Sequence, residues 1–404
     1  NDTILGDSHA STLSGGDGDD QITGGAASDT INGGAGNDTL TLTAAALTTV
    51  KDTINGGAGN DTFYSTDTNL ASFHVLDGGA GTDILKIDDL TAVADSQLEN
   101  KTSIEVLTSD TTGLSATLDT YAQAMGITTV TLVGSSNGGV ADTVTIQNDV
   151  TNAITVNVDA ATTADTNAVD ASTYTGVLTL VVGTDTAINA DSGVTSTLTG
   201  GTGTTDELKL VGDTYTAAQL ASVTKIEKFT ITNDAAANIT IDNGTVADGK
   251  TLTVDGRAII SSANGLTFSA GTEADGIITV HGATGGDSIT ASLSDLGDTI
   301  STYAGADTIS VVAAQLTTLD TIDGGAGTDI LSIITTAAAL TDADFTNVSN
   351  METLTFTSIA SSDTDLGAEY SAAGFTTINL AATTDDLNLD SVTTAQTTIA
   401  NIMS

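Results

Sequence analysis

The chain has 404 residues, 52 of them acidic and 8 basic, with a formal net charge of −44 and no Pro, Cys or Trp. This excludes a disulfide scaffold, a thiolate metal site and a cysteine nucleophile, and so few cations exclude a nucleic-acid surface. No apolar run is long enough to cross a membrane as a helix.

Along the chain the dominant feature is a nonapeptide. Asn1-Asp2-Thr3-Ile4-Leu5 reads as the tail of one unit, so the chain is expected to be a fragment or a processed product that opens inside a repeat. GDSHASTLS (6–14) keeps the frame and Leu13 but has no Asp in sixth place. GGDGDDQIT, GGAASDTIN and GGAGNDTLT then fill 15–41 without interruption, each with an Asp sixth (Asp20, Asp29, Asp38) and an aliphatic eighth (Ile22, Ile31, Leu40). The unit returns after longer excursions, as Asp52-Thr53-Ile54-Asn55, GGAGNDTFY with Asp61, and GGAGTDILK with Asp83. Short helices are expected over 68–73 and 91–98.

The next stretch reads as strands of period 2, rich in β-branched residues: Ile127–Val133, Val144–Ile146, Ile154–Val158 and Val177–Val182. Gly134-Ser135-Ser136-Asn137-Gly138 fits the nucleophile-elbow pattern, but a strand follows it where that motif requires a helix. A hairpin turn is the expected reading. GGTGTTDELKL (200–210) carries Asp206 in a turn altered by an extra Thr. A helix over 216–222 and strands at Ile239–Ile241 and Leu252–Val254 follow.

Repeats resume as GATGGDSIT with Asp287, then Asp298, TYAGADTIS with Asp307, Asp320, and GGAGTDILS with Asp329. A last helix is expected over 338–347. Residues 38–61 and 307–329 match beyond the motif, as duplicated units would. A longer period lies above: Asp83, Asp206 and Asp329 are each 123 residues apart. Each precedes a strand of related pattern, at Ile104-Glu105-Val106-Leu107, Ile226-Glu227-Lys228-Phe229 and Met351-Glu352-Thr353-Leu354.

The residue types divide the chemical work. Glycine pairs can take positive φ without penalty and turn carbonyls inward, and the sixth-place Asp adds a short carboxylate. Only seven of the 52 acids are Glu, and the shorter side chain suits tight turns around a hard cation. Ca²⁺ takes 6–8 oxygens, whereas Mg²⁺ demands stricter geometry. The candidate metal ligands are Asp20, Asp29, Asp38, Asp52, Asp61, Asp83, Asp287, Asp298, Asp307, Asp320 and Asp329, with Asp2 and Asp206 as weaker members. Backbone oxygens are expected from Gly16, Gly18, Gly25, Gly34, Gly36, Gly57, Gly59, Gly79, Gly81, Gly325 and Gly327. For Glu105, Glu227 and Glu352, a hydrogen bond is expected in preference to an ion. Bound cations would also answer the self-repulsion that opposes compaction of so acidic a chain.

These nonapeptides resemble the RTX calcium-binding repeats of proteins exported by type I secretion in Gram-negative bacteria. The turn-and-strand order of the whole resembles RTX-type surface-layer proteins. The resemblance implies an all-β fold, with parallel β-rolls combined with Thr/Val-rich β-sandwich or β-solenoid modules. The expected division is a β-roll at 1–88, β-rich modules at 89–199 and 200–281, a second roll section at 282–333 and a C-terminal β-rich module at 334–404. It also implies multiple Ca²⁺ ions, export to the cell surface and assembly with copies of itself into a lattice or filament. Contact with outer-membrane lipopolysaccharide would pass through a region outside this chain. A calcium-binding adhesin or biofilm-matrix protein is the alternative, followed by the C-terminal part of an RTX enzyme or toxin.

No enzyme is expected in the chain itself. The three histidines, His9, His74 and His281, form no zinc-protease motif. No Gly-Lys-Ser/Thr follows a glycine-rich turn, and the lack of Trp speaks against sugar stacking.

Overall fold

The computed structural model describes all residues except 43–49, 67–68, 89–91, 110–112, 134–141, 159–166, 184–195, 204, 335–339, 358–363, 381–386, 389–397 and 401–404. The fold is nearly all β, built from short parallel strands, and it divides into two compact units, Asn1–Asp206 and Glu207–Ser404.

In the first unit the nonapeptide sends alternate aliphatic residues to alternate sheets. Thr3–Leu5, Gln21–Thr23, Thr39–Thr41, Thr62–Ser65 and Ile84–Ile87 pair in parallel along one sheet. Thr12–Asp17, Thr30–Ala35, Thr53–Ala58 and Val75–Ala80 pair along the other. The coil is therefore a β-solenoid. Its first sheet continues beyond the repeats through Val106–Ser109, Thr129–Leu132, Ile154–Val158 and Leu178–Val182. Opposite these lie Ala92–Val93, Ser115–Leu118, Asp142–Ile146, Asn167–Asp170 and Thr197–Thr199.

Inside the coil, Ile22, Leu40, Phe63, Leu85, Leu107, Val130, Val156 and Leu180 stand in register. Each is 0% exposed. Full burial of such a side chain contributes about 1.5–3 kcal/mol, so this column is the main cohesive element of the unit. Its members are the eighth-place residues of the repeats and the inward positions of the later strands.

The second unit repeats the plan. Leu208, Phe229, Val254, Val280, Ile300 and Ile322 are fully or almost fully buried along one sheet, and Ile239, Phe268, Ile289, Ile309, Leu331, Leu354 and Ile378 along the other.

The 123-residue period is also a period of structure. Helical turns occur at Asp95–Leu98, Ala217–Leu220 and Asp342–Phe345. Ser103, Lys225 and Asn350, each just before a hydrophobic-Glu pair, take left-handed backbone with φ of 53°, 56° and 54°. Such conformations are uncommon outside glycine, so their recurrence marks a copied bend.

Several expectations change. The modules left open as sandwich or solenoid are parallel solenoid coils, because each strand finds its partner one coil away. Gly134–Gly138 lies outside the described residues, but its neighbours Thr129–Leu132 and Asp142–Ile146 belong to different sheets, so they do not form a hairpin. Residues 69–73 form turns and bends instead of a helix. Among the described residues, the helices expected at 91–98 and 338–347 are single 3-10 turns, Asp95–Leu98 and Asp342–Phe345, and that at 216–222 is Ala217–Leu220.

Two short helices were not foreseen, Thr120–Met125 and Ala368–Ala372. Each is held by an Asp from the preceding coil. Asp95 accepts the N–H groups of Asp119, Tyr121 and Ala122 at 2.9, 3.0 and 2.9 Å. Asp342 accepts those of Gly367, Glu369 and Tyr370 at 2.8, 3.2 and 3.0 Å.

Candidate metal centre

The glycine-rich turns of the first unit stack on one side of the coil. Gly16, Gly34, Gly57 and Gly79 are in register. They and Gly18, Gly36, Gly59 and Gly81 all take positive φ, between 103° and 144°. A side chain is disfavoured there. Gly25 does not take this conformation, and its N–H donates instead to Asp29 Oδ2 at 2.6 Å.

The first glycine of each turn is required for a different reason, which is space. A Cβ on Gly33 would lie 2.3 Å from Asp38 Oδ2 and 2.5 Å from the carbonyl oxygen of Gly56. On Gly56 the same atom would lie 2.3 Å from Asp61 Oδ2 and 2.5 Å from Gly78 O. Gly15 meets Asp20 Oδ2 and Gly33 O in the same way, and Gly78 meets Asp83 Oδ2 and Ser103 O. Each turn thus holds a small cradle in which a carboxylate oxygen and the next coil's carbonyl oxygen converge.

The carboxylates themselves form a ladder. Asp20 N–H donates to Asp38 Oδ1, Asp38 N–H to Asp61 Oδ1 and Asp61 N–H to Asp83 Oδ1, at 2.8, 2.8 and 2.7 Å. Glu105 ends the column by accepting the Asp83 N–H at 2.9 Å. The second oxygens of Asp20, Asp38, Asp61 and Asp83 are buried and have no hydrogen-bond partner. A buried carboxylate oxygen without a partner is costly, and a cation is the group that would satisfy several of them at once.

A second ladder lies beside the first and runs in the opposite sense. Asp19, Asn37, Asn60 and Thr82 each donate their N–H to the fifth-place side chain of the coil before, at 2.8, 2.8, 2.7 and 2.9 Å. Sequence reading missed it. The Asn or Asp in fifth place of Gly-x-Gly-x-Asp was its signal.

Other candidates stand elsewhere. Asp29 and Asp52 lie on the opposite side of the first unit, where Ser11 N–H reaches Asp29 Oδ1 and Asp29 N–H reaches Asp52 Oδ1, at 2.8 and 2.9 Å. This row closes on His74, whose Nδ1 accepts the Asp52 N–H at 3.0 Å and is therefore unprotonated there. Burial, aided by the Lys101 charge, holds the His74 imidazole down to about 4. Lys101 is itself buried, its ammonium donating to the carbonyls of Ala71, His74 and Glu99 at 3.0, 3.1 and 3.0 Å. Asp2 N–H joins the main column by donating to Asp20. Asp206 accepts from Leu178 and Gly201 at 2.9 and 2.7 Å.

In the second unit, Asp287 N–H reaches Asp307, Asp307 N–H reaches Asp329, and Asp329 N–H reaches Glu352, at 2.7, 2.9 and 2.7 Å. Asp307 Oδ2 and Asp329 Oδ2 are again buried without partners. Asp287, Asp298 and Asp320 instead accept an amide of their own turn on Oδ2, from Ala283, Ser292 and Thr317 at 2.8, 2.9 and 2.7 Å. Gly325 has positive φ, whereas its counterpart one coil earlier is Tyr303, at φ 64°. Gly327 packs directly against the Gly305 carbonyl.

Burial is the largest influence on these carboxyls. It pushes Asp61 up to about 6, with the charges of Asp83 and Asp38 adding to it and one backbone amide opposing. Asp329 rises to about 6 and Asp287 to about 7 for the same first reason. Asp38, Asp83 and Asp307 move in the same direction.

The RTX calcium-binding nonapeptide repeat matches residues 5–40, 51–69 and 320–332, in four copies. The turns within those residues are RTX repeats. Neither a search of curated proteins nor a search of solved structures returned a match.

The RTX turns of this chain fit a hard cation. Among the described residues no three carboxylate or imidazole side chains converge on one point, so backbone carbonyls must supply much of any coordination shell. The cradles provide that pairing: Asp20 with Gly33 O, Asp38 with Gly56 O, Asp61 with Gly78 O and Asp83 with Ser103 O. Calcium bound there would neutralise carboxylates that burial otherwise penalises. The first-place glycines that make these cradles escaped the sequence reading, which drew its carbonyls from the second and fourth places.

Proposed function

We propose that the chain is a secreted, calcium-dependent structural protein that folds outside the cell and assembles with its own copies into a surface layer or related extracellular array. The observation that carries this reading is the column of buried Asp oxygens without partners at the RTX turns. Without calcium the column is a stack of like charges, and the chain as a whole carries −44. With calcium the same atoms bind coil to coil. Each independent site that binds only the folded state stabilises it by RT ln(1 + [L]/Kd), about 2.7 kcal/mol at a 100-fold excess over Kd. Several sites make folding a steep function of calcium concentration.

Export then precedes folding: at low calcium inside the cell the chain stays extended, and calcium outside drives the coil to close. The absence of Pro suits this order, since no slow X-Pro isomerisation delays folding. An array is favoured over a lone binding module because the regular coil runs on well beyond the repeats, as a scaffold that repeats along its length. No helix among the described residues is long and apolar enough to cross a membrane.

Calcium titration followed by circular dichroism tests the folding step, with β content expected to rise cooperatively. Unchanged β content in excess chelator sinks it. Electron microscopy in millimolar calcium tests the array: ordered sheets or filaments are expected, and persistent monomers favour the adhesin alternative.

A further inference from the structure

One sheet of the second unit carries charges on its outer face that the other sheet lacks. Its strands Glu207–Leu210, Lys228–Ile231, Thr251–Asp255 and Ile277–His281 pair in parallel, and charged side chains run across them in contact. Lys209 Nζ lies 3.7 Å from Glu207, and Lys228 Nζ lies 3.1 Å from Glu207 and 3.6 Å from Asp255. Arg257 donates to both oxygens of Asp255, at 2.9 and 2.6 Å. His281 stands opposite Asp255 in the sheet, and its Nδ1 is 2.9 Å from the Tyr303 hydroxyl. On the other sheet, Ala237–Thr240, Leu266–Ser269, Ser288–Thr290 and Thr308–Val311 contain no charged residue.

On this strip the cations Lys209, Lys228 and Arg257 outnumber the acids Glu207 and Asp255, in a chain of 52 acids and 8 cations. Exposed pairs of this kind contribute only about 0–1 kcal/mol each to stability. Arg257 is the only arginine of the chain, and eighteen acids but no Lys or Arg follow it. The second unit therefore opens with its cations and continues as a wholly acidic stretch. Tyr303 is an independent sign of use. It is 40% exposed and held at φ 64°, where the matching position one coil later is Gly325. Left-handed backbone is costly for a bulky residue, and a ring so exposed returns little to the core. Tyr and Arg are also the side chains that most often carry the binding energy of protein interfaces.

We propose that the strip running from Lys209 through Lys228 and Arg257 to Tyr303 docks the wholly acidic stretch of a second copy of this chain. The proposal rests on the array reading and names a contact within it. Complementary charge selects which faces meet. A cationic patch that meets a different, acidic patch on an identical molecule makes a heterologous contact, and such contacts propagate into open assemblies unless they close into a ring.

Sedimentation velocity of the full chain in saturating calcium, over a range of protein concentrations, tests this. The native protein is compared with K209Q/R257Q, with Y303G and with K51Q/K86Q, which removes the same two charges from the first unit. K209Q/R257Q is expected to need at least ten times more protein to assemble, and K51Q/K86Q to assemble as the native chain does. Y303G places in this turn the residue that the next coil uses, so its melting temperature should not fall, yet its assembly should weaken. Native-like assembly of K209Q/R257Q overturns the proposal. Equal weakening in K51Q/K86Q overturns it too, since net charge is then the cause. A native chain that stays monomeric at every concentration overturns the array reading and this contact together, whereas native assembly that survives the strip variants overturns the contact alone.

Discussion

The first unit contains two kinds of coil on one continuous core. From Gln21 to Ile87 every coil carries a glycine turn and an Asp whose second oxygen is buried without a partner. From Val106 to Val182 the strands follow the same parallel path, and Leu107, Val130, Val156 and Leu180 extend the same buried column, with no turn of paired positive-φ glycines among the described residues. The core alone therefore suffices to define a coil. The paired glycines are a cost that the described later coils do without, although Asp142 there is buried and accepts the Leu114 N–H, and that cost makes sense only if a ligand repays it.

Removing calcium should separate the two regions most strongly. Hydrogen exchange in chelator is expected to rise by tenfold or more in peptides covering 12–87, and less in those covering 129–182. Equal protection in both would mean that the turns hold without an ion.

Filling a cradle comes next. Gly56→Ala places a methyl group on Asp61 Oδ2 and Gly78 O, and should cost about 1–3 kcal/mol as overpacking, read as a lower melting temperature in saturating calcium. A neutral result would remove the steric basis of the site.

Replacing carboxylates gives a smaller and more selective effect. D38N/D61N should weaken calcium binding at least tenfold, whereas D29N, whose Oδ2 is already taken by Gly25 N–H, should change it little. If D29N is as damaging as the double variant, both sides of the coil bind calcium.

The smallest effect is that of pH. Asp61, Asp287 and Asp329 are held above the ordinary carboxylate range, at about 6, 7 and 6. Their folded-state values exceed their unfolded ones, near 4. Their contribution is therefore present below about pH 4 and lost as pH rises through about 6–7. His74 is depressed to about 4 and works in the opposite direction, losing stability as pH falls from about 6.5. As a single group it is outweighed by the three acids. Calcium-free protein should therefore hold more β structure at pH 5 than at pH 7.5, and calcium-loaded protein less. Matching trends with and without calcium would contradict the assignment.

The parts of this structure that a sequence can express locally were legible in it. The eighth-place aliphatics announced the core, and the nine-residue frame announced a parallel coil. Alternation alone does not say which strand a strand will meet. For that reason alternation pairs Val144–Ile146 with Ile127–Val133 as a hairpin, although its neighbours lie one coil away. The Thr120–Met125 helix did have signals, Asp119 before it and Gly126 after it at φ 102°, but its brace comes from distant Asp95. All sixth-place aspartates looked alike because the feature that divides them is whether an amide of their own turn reaches Oδ2. One clue was present: the column with partnerless oxygens has glycine in fourth place at 18, 36, 59 and 81, where the Asp29 turn has Ala27.

The main Asp column joins residues 18, 23 and 22 positions apart in sequence. The ladder is indifferent to these unequal lengths because the strands beside it stay in register from coil to coil, while the extra residues fall in the sequence between Thr41 and Asp52 and between Ser65 and Val75. Growth of the chain is thereby decoupled from its ion-binding edge. A segment can be spliced between Leu42 and Asp52 without displacing a carboxylate. Gain or loss of one whole coil would shift the number of cradles by one and leave both opposed ladders closed. Such a protein can change its length and girth over evolutionary time while its demand for calcium changes only in whole steps.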